Sequence, residues 1–165
     1  MQVIAMRSFP GGGKTMHAQR LTEDFRKEGK IVTIFSADDE FIKNGVYTFN
    51  PALLSKAHTN CFVGVVEACQ LNSTWEPDDV VIVDNTNLNA FEISPYAMVA
   101  ASVSADFKVI SVLPTRDVDA SGKIAFSRQT HGVPEHAHKR MVEQFKKNDV
   151  LPWWQHETVL LDEIK

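Results

Sequence analysis

Short unbroken apolar runs alternate along this chain with longer stretches in which apolar residues recur every third or fourth position. Val3-Ile4-Ala5-Met6 is the first run, Ile31 to Phe35 the second and Val80-Val81-Ile82-Val83 the third; Phe107 to Leu113 and Thr158 to Leu161 follow. Short runs of this kind, rich in β-branched residues, read as strands buried on both faces, the signature of a parallel sheet. Lys14 to Glu28 puts Met16, Ala18, Leu21 and Phe25 on one helical stripe that ends near Gly29. Pro51 opens a second helical stretch through Leu71, with proline suited to a first turn. Phe91 to Ser104 is a third, with Pro95 near its start or kinking it. Asp119 to Arg128 and Pro134 to Lys147 form a pair separated by a turn at His131-Gly132-Val133. Strands alternating with helices, and no internal repeat, predict one α/β domain over residues 1–165 with about five parallel strands covered on both faces.

Composition adds little and excludes some classes. At 165 residues, 44% hydrophobic and 23% charged, the chain is long enough for one self-sufficient core and is neither disordered nor membrane-like. No apolar run approaches spanning length, and the first residues lack a basic leader, so a cytoplasmic location is expected, in the host if the chain is phage-encoded. A net charge of −4 argues against an extended electrostatic grip on nucleic acid, but it allows a cleft for one or two nucleotides. Lys139, Arg140, Lys146 and Lys147 read as a solvated helix face. Cys61 and Cys69 stand about 12 Å apart along a helix, too far for a disulfide, and read as buried thiols.

The chemistry begins between the first strand and the first helix. In Ser8-Phe9-Pro10-Gly11-Gly12-Gly13-Lys14-Thr15, the glycines let the backbone fold so that several N–H groups face a phosphate. The following helix offers its positive end to the same anion. Pro10 through Thr15 is thus a candidate ATP-binding loop, in which Lys14 reaches the terminal phosphates and the Thr15 hydroxyl ligates Mg²⁺. The usual pattern has glycine where Ser8 stands.

Three further segments point toward phosphoryl transfer. Ser36-Ala37-Asp38-Asp39 follows the second strand, where ligands of open α/β sheets sit, and an aspartate there can take the proton of a hydroxyl acceptor; a turn cap is the competing reading. Asp84-Asn85-Thr86-Asn87 follows the most buried strand, so Asp84 stands where an acid holds Mg²⁺, although Asn and Thr are also ordinary loop residues. Arg128 opens a late loop, Arg128 to Pro134, where a lid arginine can stabilise the transferring phosphoryl charge, or can simply pair with its helix end.

Taken together these residues resemble the polynucleotide 5′-hydroxyl kinase group of P-loop kinases, and most nearly the NEDD4-binding-protein-2 type of kinase domain with its phage and bacterial relatives. The resemblance runs from about residue 3 to 145 and is carried by Arg7 with the glycine loop, Ser36 to Asp39, Gly45-Val46-Tyr47-Thr48-Phe49, Ala57-His58, Asp84 to Asn87 and His131 to Pro134. It implies a three-layer P-loop kinase sandwich with a C-terminal lid, and transfer of the ATP γ-phosphate to a hydroxyl of DNA or RNA with Mg²⁺. Asp38 would be the general base, Lys14 and Arg128 the other catalytic groups, and Thr15 with Asp84 the metal ligands. Asp39, Asn85, Thr86, His131 and Val133 would line the acceptor. Three positions depart from the family pattern. Phe41 stands where phage members carry an arginine, their acid falls on Asn85 so that the carboxylate moves to Asp84, and their second lid arginine has only His131 near it.

Other readings stay open at this point: phosphorylation of a hydroxymethylated base such as 5-hydroxymethyluracil within phage DNA, a nucleoside or small-metabolite kinase, and a non-catalytic nucleotide-binding switch. Asp117-Val118-Asp119 is not the nucleophile of an aspartate phosphatase, because Pro114-Thr115-Arg116 separates it from the strand. His136 and His138, two apart on a helix, are expected at the surface, and Trp153 and Trp154 are expected to pack.

Overall fold

The computed structural model describes residues 1–71 and 79–164. Five strands, β1 (Gln2–Arg7), β2 (Val32–Phe35), β5 (Val80–Val83), β6 (Asp106–Leu113) and β7 (Gln155–Leu160), form one sheet in the order β2-β5-β1-β6-β7. Every neighbouring pair in it is parallel. The chain leaves β1 for the β2 edge, returns through β5 beside β1, and then continues on the other side. The carboxyl end of β1 is therefore the point where connections diverge, which is where such sheets open a ligand crevice.

Strand alternation divides the core cleanly. Val3, Val81 and Val83 face α2 (Leu54–Leu71) and α3 (Ala90–Ser102), packing with Ala57, Cys61, Val65, Tyr96 and Val99. Ile4, Met6, Val80, Ile82, Ile110 and Val112 face the opposite layer, where α1 (Lys14–Lys27) contributes Ala18, Leu21 and Phe25. A third cluster joins α4 (Val118–Arg128) and α5 (Glu135–Lys147) through Ala125, Val142 and Phe145 to Phe9 of the glycine loop and Leu88 after β5. Helices α4 and α5, the expected lid, thus share a core with the glycine loop.

The expected elements are present with shifted ends. The second helical stretch begins as a 3-10 turn, Pro51–Leu53, before α2. The last strand starts at Gln155, three residues ahead of its apolar part, because pairing with β6 extends through exposed polar positions. Pro95 lies inside α3, past the first turn, so the Phe91 carbonyl has no helical donor there. A small hairpin, β3 (Ile42–Lys43) and β4 (Val46–Tyr47), was not expected from the apolar pattern. Its turn residues Asn44 and Gly45 have φ of 52° and 77°, the paired left-handed conformation that Asn-Gly favours.

Cys61 and Cys69 are buried free thiols, as expected. Trp154 packs on Phe107 with ring centroids 5.6 Å apart, whereas Trp153 is 73% exposed and does not pack. His138 corrects the surface expectation: it is 2% exposed, edge-on to Phe9 and Phe126. Asp117 caps α4, its carboxylate accepting from the Ala120 N–H at 2.6 Å. Among the described residues no helix is long and apolar enough to cross a membrane.

Candidate active site

The glycine loop turns through two left-handed residues, Gly11 at φ 79° and Gly13 at φ 94°. A Cβ on Gly11 would stand 2.0 Å from the Ala125 carbonyl oxygen of α4, so the lid helix rests directly on the loop. Gly13 caps α1 with no side-chain acceptor, which leaves the first helical N–H groups free to meet an anion. Ser8 is fully buried, and its N–H donates to the Thr86 carbonyl at 3.0 Å. Its φ is negative, so serine in place of glycine costs no backbone strain there. Its hydroxyl fills the floor under Gly12, where a Cβ would be 1.9 Å away.

Two cavities open from this loop. One of about 150 Å³ is lined by Gly11, Gly13, Lys14, Thr15, Arg128 and His131, the expected donor side. The other, about 290 Å³, is lined by Lys14, Asp38, Asn85, Thr86, His131 and Val133 among polar and lid groups, with Tyr47, Phe49, Leu54 and Met141 as an apolar wall. They share Lys14 and His131. Pro10 lies on the acceptor side of the loop, while Gly12 lines neither cavity. Lys14 is 6% exposed at the start of α1, and Thr15 beside it is exposed. Arg128 is the last, exposed residue of α4 at the mouth of the donor cavity. A more open cleft of about 820 Å³ between α2 and α3 meets the acceptor cavity at His58.

Asp38 rides on a 3-10 turn, Ala37–Phe41, that the end of β5 holds in place. Ser36 Oγ accepts from the Asp38 N–H at 3.2 Å and donates to the Asp84 carbonyl at 3.0 Å. The Ala37 N–H donates to Asn85 Oδ1 at 2.9 Å. Asn85 therefore works as a brace: its Nδ2 donates to Tyr96 Oη at 3.2 Å and to Cys61 Sγ at 3.3 Å. Both amide hydrogens are spent inside the protein, so no donor of the side chain remains for an acceptor. Asp39 does not line the acceptor cavity; the turn leaves it exposed. Its carboxyl is held above the usual range, by partial burial first and by repulsion from Asp38 and Asp84, against an opposing backbone hydrogen bond at Ser36.

Asp84 is 4% exposed and its Oδ1 has no hydrogen-bond partner. A buried, unpaired carboxylate oxygen fits a site completed by a cation or its water shell. Thr15 and Asp84 are oxygen donors of the kind Mg²⁺ accepts, and no cluster of three His, Cys, Asp or Glu ligands for a more protein-bound metal exists among the described residues.

Four contributions were not read from sequence. Gln129 clamps the lid loop, with Nε2 donating to the Val133 carbonyl and Oε1 accepting from its N–H, each at 3.0 Å. His138 Nε2 donates to the Pro10 carbonyl at 2.9 Å, tying α5 to the phosphate loop. The Arg7 guanidinium, 4% exposed, donates to the Phe145 carbonyl at 2.9 Å and also to that of Asn148, and lies over the Phe145 ring. Burial lowers its pKa to about 10. Tyr47 Oη donates to Asp38 Oδ1 at 3.3 Å, and its ring meets that of His131 with centroids 4.7 Å apart.

No protein-family model matches the chain. Over 145 residues it is 33% identical to NEDD4-binding protein 2 of Homo sapiens, a match that covers 88% of this chain and only 8% of that protein's length. Among solved structures, Kti12 of Chaetomium thermophilum in complex with ADP-AlF3 superposes with a TM-score of 0.66 at 15% identity, covering 99% of this chain and 91% of that one. A candidate kinase of Chloroflexus aurantiacus gives 0.66 at 14% identity, covering 99% and 88%. At such identities the likeness concerns the fold.

Proposed function

For a chain with the fold of the P-loop kinases, we propose that it transfers the γ-phosphoryl group of ATP to a hydroxyl of a nucleic acid, the 5′-hydroxyl end of a DNA or RNA strand. The observation that carries this reading is the meeting of the two cavities at Lys14 and His131, with Asp38 on the acceptor side. A nucleotide on the loop and a hydroxyl beside Asp38 would approach each other across that seam.

Each residue then has one task. The free N–H groups at the start of α1 and the Lys14 ammonium hold the β- and γ-phosphates. Asp38 accepts the proton as the acceptor oxygen bonds to phosphorus and the bond to the ADP oxygen breaks. Arg128, at the mouth, balances charge on the phosphoryl oxygens. Thr15 and Asp84 would hold Mg²⁺, which when bound neutralises phosphate charge.

A second reading follows from the acceptor wall. Tyr47, Phe49, Leu54 and Met141 give the cavity of about 290 Å³ an apolar wall suited to the face of one base, and buried Phe41 supplies no cation. A hydroxymethylated base within DNA is the acceptor that suits this wall. γ-Labelled ATP offered with 5′-hydroxyl DNA, 5′-hydroxyl RNA, DNA carrying hydroxymethylated pyrimidines and free nucleosides separates the two. Label at strand ends supports the first reading and internal label the second; release of free phosphate alone overturns both. Asp38→Asn should lower transfer by at least about 10²-fold with ATP binding retained. A normal rate would remove Asp38 from the mechanism.

A further inference from the structure

Phe41 is 1% exposed and faces the core, with its ring centroid 6.1 Å from Tyr47 and 5.1 Å from Phe49. The Thr48 N–H donates to the Phe41 carbonyl at 2.8 Å, and Ile42 pairs with Tyr47 across the hairpin. These contacts fix Tyr47 between two segments far apart in the chain. On one side its hydroxyl donates to Asp38 Oδ1 at 3.3 Å; on the other its ring lies edge-on to His131. His131 lines both cavities, and its Nδ1 is buried without a partner. Gln129 closes the loop around His131, so the ring contact joins this closed loop to the hairpin.

We propose that Tyr47 is a positioning residue that assembles the acceptor half of the site, its hydroxyl orienting the Asp38 carboxylate while its ring seats His131 of the lid. The inference rests on the reading of Asp38 as the base of a phosphotransferase. Phe41 buttresses Tyr47, so an aromatic chain from Phe41 through Tyr47 to His131 joins base and lid. Burial first, and then the Asp38 charge, push the Tyr47 hydroxyl up to about 12, so it stays a donor well above neutral pH. A tyrosine that only filled space would need neither the hydroxyl contact nor the histidine.

Tyr47→Phe and Tyr47→Leu separate the two halves. Phenylalanine keeps the ring and loses the hydroxyl. It should lower kcat about 10-fold with the acceptor KM within about twofold, because orientation of the base is lost while the lid stays seated. Leucine loses both. It should lower kcat at least as far and raise the acceptor KM about fivefold or more, whereas ATP affinity should stay unchanged in Tyr47→Phe. Amide exchange of residues 129–133 reads the seating of the lid without any acceptor: it should quicken in Tyr47→Leu and not in Tyr47→Phe. Transfer by the wild type to none of the acceptors would refute the kinase reading, and the exchange comparison would still judge the lid contact. Transfer by the wild type with kcat unchanged in Tyr47→Phe, or exchange unchanged in Tyr47→Leu, would overturn this inference alone.

Discussion

Asp84→Asn should make the ligand-free protein more stable and the enzyme inactive. The Asp84 side chain is almost fully buried at the end of β5, and Oδ1 has no donor. An unsatisfied buried group costs about 1–3 kcal/mol, and more when it is charged. The amide leaves a polar atom unpaired at the same place but removes the buried charge, and the backbone bonds to the Phe35 carbonyl and from Ser36 Oγ do not depend on the side chain. Relief of about 1–2 kcal/mol is therefore expected, which for a chain of 165 residues raises Tm by about 2–8 °C. The order should reverse with substrate. At Mg²⁺-ATP 100-fold above its Kd the wild type gains about 2.7 kcal/mol, and a variant lacking the metal ligand gains less. Thermal melts with EDTA, with Mg²⁺ and with Mg²⁺-ATP, run beside the transfer assay, measure all of this. A ligand-free variant less stable than wild type by about 1 kcal/mol or more would mean that Asp84 pairs within the protein. An equal Mg²⁺-ATP shift in both proteins would remove it from the metal site.

Three other outcomes follow from the geometry. Gly11→Ala should cost about 2 kcal/mol or more, because it adds left-handed strain and drives a Cβ to 2.0 Å from the Ala125 carbonyl; a urea midpoint within error of wild type would contradict the packing of α4 on the loop. Arg7→Met should destabilise by about 2–4 kcal/mol in urea melts. It strips donors from the Phe145 and Asn148 carbonyls, while only part of that loss is recovered by removing a cation whose pKa burial lowers to about 10. A neutral or stabilising effect would show that desolvation dominates. Partial desolvation, ahead of neighbouring charges, lowers the pKa of both the half-buried His17 and the more exposed His156. The unfolded chain then binds protons that the native form resists, so stability is full above about pH 6.5 and falls as pH drops below it. The double change His17→Asn, His156→Asn should flatten that decline in pH-dependent melts, and an unaltered slope would assign it elsewhere.

Much of the architecture was legible because it follows from local rules. β5 matches its apolar run residue for residue, since four consecutive β-branched residues suit only a strand buried on both faces. The phosphate loop was legible from its glycines, two of which adopt a positive φ. The Asn44-Gly45 turn carried a local signal too, but two-residue strands are too short to show in an apolar period. His138 was misjudged because its surroundings, Phe9 and Phe126, come from the glycine loop and α4 and not from its own helix. Asn85 lines the larger cavity, where its place after β5 put it, but its neighbours in sequence give no hint that Ala37, Cys61 and Tyr96 also converge on it.

The sequence by itself determined which segments become strands and helices, and where an anion can bind. Backbone sterics, side-chain periodicity and the exposed N–H groups of a glycine-capped helix act over a few residues. Only the tertiary structure decided which of two adjacent aspartates lines the cavity beside Lys14, that Phe41 packs against Tyr47, and that His131 meets both cavities. These depend on side chains from β2, the hairpin, β5 and the lid arriving at one place. Burial and pairing there, and not any local preference, select the partner.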